Sequence, residues 1–436
     1  MRSRFWLWLA VLLAFGGCLR VAYVLTVTRH DHHVYDAVYY QLEAASIARG
    51  DGFVDPFAGI VAPGSKPQAS AEHGPLTSLV LAPAGLVDDV DTSALLMRFT
   101  MVLVGLASIT VIGLLGRELG GDTVGLIAAG IAVVDPNLWM NDGLIMSESL
   151  SILLVAAILL LSYRVLRDAS PRRVLGLAVL CGLVTLVRAE LAALTLLLAV
   201  PAVWIGSRGR RQSPSRRAAW AFGCVAVAAL LVAPWVGYNL TRFDKPTFVS
   251  TNDGLTMVAA NCDPSYYGPK IGSGDIEACA TNPPKGDPSV VSAEFRSRAL
   301  DYMGNHLGRW PVVVVARVAR LWSIFHVSQT VGADVGEGRP RWASYAGVLM
   351  TYLLVAAAVY GFVVSRRRKI PVWPMVVPVV VVTAMMLVIG GIPRYRAAAE
   401  PSVIVLAAIG IGALLARRSS PGAVRPEDTS ELAASR

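Results

Sequence analysis

Apolar runs compatible with helices recur along almost the whole chain, at residues 5–26, 94–116, 121–135, 149–165, 173–188, 190–206, 217–236, 343–364, 371–391 and 401–416. Arg-rich or acidic, Pro-rich breaks separate them. Roughly 20 such residues cross about 30 Å of hydrocarbon, so the pattern predicts an all-α, polytopic integral membrane protein of about ten transmembrane helices. The first run follows a basic start and is longer than a signal-peptide core, so it is read as a retained span. Two shorter apolar stretches lie outside these runs. GPLTSLVLAPAGLV (74–87) is too short to span, and RWPVVVVARVARLWSIFHVS (309–328) carries Arg309, Arg317 and Arg320 among Val, Leu and Trp. Both are predicted as amphipathic helices resting in the interface.

Composition supports this reading. Of 436 residues 55% are hydrophobic and 16% charged, with a mean hydropathy of +0.56, too apolar for a soluble domain of this size. A net charge of +9 would suggest an anionic partner in a soluble protein. Here Lys and Arg cluster between the apolar runs and report topology, so no nucleic-acid partner is expected. Arg2 and Arg4, Arg117, Arg164 to Arg173, Arg208 to Arg217, Arg366 to Lys369, and Arg417 with Arg418 all fall on one side of a ten-span chain. The positive-inside rule makes that side, and both termini, cytoplasmic. Residues 1–416 then form one membrane-embedded domain in the cell membrane, and 417–436 a polar tail expected to be disordered. Segments 27–93 and 237–342, with shorter turns at 136–148, 188–190 and 392–400, face outside.

Cysteine usage agrees with this sidedness. Cys18, Cys181 and Cys224 lie within spans, where a thiol acts as a small hydrophobe. Cys262 and Cys279 share the second outer segment, where a disulfide would close a Gly/Pro-rich loop with an entropic effect of about 3 kcal/mol.

Ionisable groups are costly in a membrane and tend to mark function. Every predicted outer turn carries some. In YDAVYYQLEAASIARGDG, Asp36 stands where it would cap a helix that continues through Tyr40 and Glu43, yet it also sits at the mouth of the first span. Glu72 and His73 precede the short helix at Pro75, which alone would read as a helix start. Asp142 and Glu148 share a turn; either could cap a helix, and together they offer carboxylates to a divalent metal or a polar acceptor. Arg188 and Glu190 form either a structural ion pair or part of a site. Arg394 and Arg396 flank Tyr395 on the outer side, against the positive-inside tendency, and two guanidiniums so placed suit a phosphate. HDHH (30–33) offers metal ligands, but adjacent histidines would need distant partners to complete a tetrahedral site.

Several of these pieces occur in a familiar order: D-x-x-Y-Y after the first span (Asp36, Tyr39, Tyr40), His-Gly-Pro-Leu at the interfacial helix (His73 to Leu76), and S-E-S-L opening a later span (Ser147 to Leu150). R-A-E (188–190), PWVGYN (234–239), STNDG (250–254) and RYR (394–396) follow. The chain resembles the GT-C glycosyltransferases of the protein O-mannosyltransferase and lipid A aminoarabinose transferase type, which use polyprenyl-phosphate-linked sugars. It departs from that family in having Gly74 where the family usually shows proline.

The resemblance implies a hexosyl- or pentosyltransferase of the cell envelope that works on the outer face and takes sugar from a polyprenyl phosphate to a lipid, glycan or protein acceptor. By the same resemblance Asp36 is the first candidate for the general base, with Glu72 or Glu148 second. Arg394 and Arg396, with Arg188, would hold the leaving phosphate. Tyr39, Tyr40, His73, Asp142, Glu190, Asn239 and Tyr395 are the further substrate-binding candidates. The resemblance fixes no cofactor, and the acids leave room for a divalent metal. A transporter, or a ligase moving a whole lipid-linked glycan, is the competing reading.

Overall fold

The computed structural model describes residues 2–29, 36–57 and 68–418. Each of the ten apolar runs falls on a helix. The first is Arg2–Tyr23, continued by a π-turn to Thr28. The second and third share one continuous helical stretch, Val90–Val134, interrupted at Gly121 (φ 79°, ψ −174°). A side chain there would be strained, so glycine permits the chain to reverse and turn two runs into a hairpin. The remaining runs lie on Glu148–Arg167, Pro171–Val187, Ala189–Gly209, Pro214–Leu240, Arg341–Arg367, Trp373–Leu387 and Pro393–Arg417. Pro136, Pro171, Pro214 and Pro288 open their helices at a position whose N–H has no intrahelical acceptor.

Among the described residues seven helices are long and apolar enough to cross a membrane. The protein is a multi-pass, all-helical membrane protein; its β-pairing among these residues is limited to a single bridge, Val54 to Ala69. Glu148–Arg167 and the last helix over residues 400–410 are enclosed by neighbours, and Ile152, Val155, Ile158, Ile404 and Ala408 are fully buried. The first helix and Pro214–Leu240 lie at the periphery, exposing Leu7, Trp8, Phe222 and Leu230. Large exposed apolar side chains on helices of this length are what lipid-facing surfaces require.

The two long polar segments build the opposite end from the Arg-rich breaks. Helix Asp36–Arg49 packs on the short helix Pro75–Leu81. Cys262 and Cys279 are joined by a disulfide with Cα atoms 5.8 Å apart. The helix Trp310–Leu321 exposes Val312 and Val315, as a leaflet-resting helix should, but its basic face is not in water. Arg317 donates to the carbonyls of Ala260 and Leu387 and to Asn261, and Arg320 to the carbonyl of Ile271 and to Gln329. Amphipathicity here serves to fasten loop backbone, because buried carbonyls need donors. The segment 136–148, expected as an open turn, is also enclosed: Leu138, Trp139, Leu144 and Ile145 are buried.

Candidate active site

The polar end contains a cavity of about 290 Å³ whose lining includes Asp36, Tyr40, His73, Glu148, Arg188, Glu190, Arg394 and Tyr395. These side chains come from five separate parts of the chain. Asp36 is the first residue of its helix, and its carboxylate reaches across the fold. Oδ2 accepts from Arg394 Nη2 at 2.6 Å, and Oδ1 lies 3.5 Å from His73 Nε2. His73 is held by aromatic packing, stacked on Tyr40 with ring centroids 4.8 Å apart and edge-on to Tyr39. Tyr39 itself turns away and donates to Glu43 at 2.5 Å.

Glu148 begins its helix and is fully buried. Its Oε1 lies 3.3 Å from Arg188 Nη1 and 3.9 Å from Arg394 Nε, so one carboxylate sits between two guanidiniums. Oε2 has no hydrogen-bond partner among the described residues. Arg188 also pairs with Glu190 at 2.6 Å. Tyr395 stands between the two arginines, each guanidinium 5.4 Å from its ring centroid. Met385, Val388 and Ile389 give the cavity an apolar side, and Asn252, Asp253 and Thr256 a polar one.

The charges set proton affinities in the segment between the first two spans. Burial would raise the carboxyl of Asp36, but Arg394 and His73 outweigh it and hold the group well below the usual carboxylate range. Burial would lower the imidazole of His73, but Asp36 and Glu72 leave it above its ordinary value. Glu72 is raised, first by burial. Ligand atoms of Asp36, Glu72 and His73 lie within 4.8 Å of one another, a spacing that fits a divalent cation.

Not every candidate converges on the cavity. Arg396, two residues from Arg394, points elsewhere and is bound by Glu400 at 2.8 Å, Thr351 at 2.8 Å and the Leu321 carbonyl at 3.1 Å. Asp142 is buried against Arg20 at 2.6 Å and Ser149 at 2.7 Å. Asn239 is buried, donating to the Phe248 carbonyl and accepting from Arg242. The two-arginine wall therefore consists of Arg188 and Arg394. His30, Asp31, His32 and His33 lie outside the described residues.

Sequence reasoning missed Glu337, which bridges Arg394 at 3.2 Å and Arg339 at 2.7 Å. In GADVGEGRPRW it looks like a solvated loop acid. Gly74 has a further role: a Cβ there would lie 2.3 Å from the Leu186 carbonyl oxygen. Its absence lets the turn that carries Arg188 close on His73.

Comparison with known proteins bears on this geometry. A model of the dolichyl-phosphate-mannose-protein mannosyltransferase family matches residues 72–238, which contain His73, Glu148 and Arg188. No curated protein sequence matches. The apo crystal structure of the Archaeoglobus fulgidus oligosaccharyltransferase superposes with a TM-score of 0.55 at 13% identity, covering 94% of this chain and 51% of that one. The chain shares the fold of the matching part of that enzyme. The oligosaccharyltransferase AglB from the same organism, solved with an inhibitory peptide and a dolichol-phosphate, gives a TM-score of 0.52 at 13% identity over 96% of this chain and 52% of that one. ArnT from Cupriavidus metallidurans bound to undecaprenyl phosphate matches more loosely, with a TM-score of 0.43 at 14% identity over 93% of this chain and 77% of that one. The chain thus spans about half the length of the oligosaccharyltransferases whose fold it shares.

Proposed function

We propose that the protein is a glycosyltransferase that moves one sugar from a polyprenyl-phosphate donor to an acceptor hydroxyl on the outer face of the membrane, with inversion and with Asp36 as general base. The observation that carries this reading is the pairing of Arg188 and Arg394 on one wall of the cavity, facing Asp36 and His73. A donor phosphate against the arginines would have its negative charge neutralised as it leaves, and a phosphate monoester anion needs no general acid. The acceptor hydroxyl gives its proton to Asp36 while its oxygen bonds to the anomeric carbon. The bond from that carbon to the phosphate oxygen breaks, and the electron pair stays on the phosphate. One displacement inverts the centre.

The ground state favours a gated base. With Arg394 2.6 Å away, Asp36 is ionised but weakly basic. A donor phosphate competes for Arg394 and so restores basicity to Asp36 when the sugar is in place. At about 290 Å³ the cavity is small for a ligand pocket, which favours a single sugar over a preassembled glycan. Met385, Val388 and Ile389 offer an apolar path to an isoprenyl chain. The archaeal oligosaccharyltransferase that shares the fold was solved with dolichol-phosphate, a lipid of this class.

The test is to purify the full chain, offer it labelled polyprenyl-phosphate sugars with membrane acceptors, and compare it with Asp36→Asn. Transfer should fall by about 10²–10⁴-fold while donor binding persists. Equal rates would dismiss Asp36 as base, and failure to bind any polyprenyl phosphate would dismiss the class. A second reading rests on the spacing of Asp36, Glu72 and His73: a divalent cation held there would orient the acceptor. Chelation followed by metal add-back separates the two, because a base-only site is indifferent to both.

A further inference from the structure

The basic clusters Arg366 to Lys369 and Arg417 with Arg418 mark one side of the membrane in the sequence. The structure brings members of both together at one groove. Helices Arg341–Arg367 and Glu400–Arg418 touch backbone to backbone at Gly361 and Gly410, where an added Cβ would lie 1.8 Å from the Leu406 carbonyl and 2.5 Å from the Ala357 carbonyl. Six residues further, about 9 Å along the helix, a groove of about 460 Å³ opens between them, lined by Arg367, Arg368 and Arg417 above and by Val364, Ala413 and Tyr360.

This groove differs from a topological signal in two ways. Its lining carries three guanidiniums and no carboxylate, and none of the three arginines has an ion pair among the described residues. By contrast, the other Arg-rich hollow on this side, lined by Arg117, Arg164 and Arg167, contains Glu118, which pairs with Arg167 at 2.6 Å and Arg164 at 3.5 Å. In addition, the Tyr360 hydroxyl is buried without a hydrogen-bond partner among the described residues. A buried hydroxyl normally finds one, since leaving it unmet costs free energy.

The layering is that of a lipid. Below the arginines the flanking surface is apolar and open, with Val359, Val363, Leu414 and Leu415 exposed. We propose that this groove binds the phosphodiester headgroup of an anionic phospholipid from the leaflet on the basic, cytoplasmic side. The phosphate accepts from the three guanidiniums and from the Tyr360 hydroxyl, and the acyl chains follow the exposed valines and leucines. Basic pockets between spans on that side suit such headgroups. The closely packed glycines fix the groove width, and the buried Tyr360 hydroxyl turns toward the phosphate as it enters.

The experiment uses the full chain in nanodiscs of phosphatidylglycerol and phosphatidylcholine, with retained lipid counted by native mass spectrometry. Retention of phosphatidylglycerol over phosphatidylcholine by roughly tenfold or more is expected. The R367Q/R368Q/R417Q variant should lose that preference, and because all three side chains are exposed its thermal unfolding should not move. Tyr360→Phe should keep the fold and weaken the preference several-fold. An unchanged preference in the triple variant overturns the proposal. So does displacement of the lipid by inorganic phosphate, which would mark a free-phosphate site. A preference seen only after removal of residues 419–436, which carry Glu427, Asp428 and Glu431 beside Arg425 and Arg436, would make the tail the occupant and also overturn it.

Discussion

Arg394 and Arg396 lie two residues apart in one short 3₁₀ turn, Pro393–Ala399, and belong to regions of opposite character. Arg396 is 2% exposed, and its guanidinium is saturated by Glu400, Thr351 and a carbonyl. Arg394 is shared among Asp36, Glu337 and Glu148 at 2.6, 3.2 and 3.9 Å. Its Nε and the Glu148 Oε2 have no hydrogen-bond partner among the described residues. Around Arg396 the polar groups are complete, and the region acts as a fastener between helices. Around Arg394 they are crowded and incompletely matched beside a cavity. Unused polar capacity next to open space is what a ligand would complete.

Exchanging the two arginines for neutral residues should separate these characters most sharply. Arg396→Ala strands Glu400 as a buried, uncompensated charge, at a cost of about 3–5 kcal/mol, so folded protein should be scarce and its thermal midpoint well below that of the parent. Arg394→Gln should lower the midpoint by less, because Asp36 keeps His73, Glu148 keeps Arg188 and Glu337 keeps Arg339, and should weaken polyprenyl-phosphate binding by about 10²-fold, within the range for truncating one partner of a buried charge pair. Membrane yield and lipid-binding measurements on both variants check the pair. Equal loss of fold in the two would erase the distinction.

Local geometry explains why the sequence could not make that distinction. A 3₁₀ turn advances about 120° per residue, so two arginines separated by one residue point in different directions, and the expected double clamp comes apart. Arg188, 206 positions before Arg394, takes the second place. The helices themselves were legible because about 20 apolar residues leave few alternatives; the break at Gly121 was marked by Arg117 and Glu118 nearby. Asp36, His73, Arg188, Glu190 and Tyr395 were legible as charged or aromatic groups in short turns between spans. Asp142 lies away from the cavity because it pairs with Arg20 in the first span, 122 residues away, and pairing across such a separation leaves no local pattern. Glu337 pairs locally with Arg339, which looks like a loop ion pair, and only its link to the distant Arg394 brings it to the cavity.

A smaller change probes how the cavity wall is set. A methyl at Gly74 would lie 2.3 Å from the Leu186 carbonyl oxygen and 3.0 Å from that of Val187, so Gly74→Ala must move the turn that carries Arg188. Overpacking of this kind costs about 1–3 kcal/mol. The loss should appear chiefly in donor affinity, because Arg188 belongs to the incomplete region, while the Arg396 fastener is untouched. If Gly74→Ala bound donor normally, closeness of that turn to His73 would not matter to the site.

The smallest expected effect lies in the pH dependence of stability, and it separates the two partners of Arg394's neighbourhood by sign. His73 has a raised folded-state pKa, so its stabilising contribution is present in full below its ordinary value near 6.5 and is lost as pH rises through the folded value. Asp36 is depressed, so its contribution is present above its ordinary value near 3.8 and is lost as pH falls through the folded value. Substituting His73 by Gln should therefore lower the thermal midpoint near about pH 6, with the deficit narrowing toward about pH 9. Asp36→Asn should show a deficit at both, closing only in acid. Midpoints measured across that range for the two variants would test whether the imidazole is charged against Asp36 in the resting protein; a His73→Gln deficit independent of pH would mean that it is neutral there and held by its stack on Tyr40 alone.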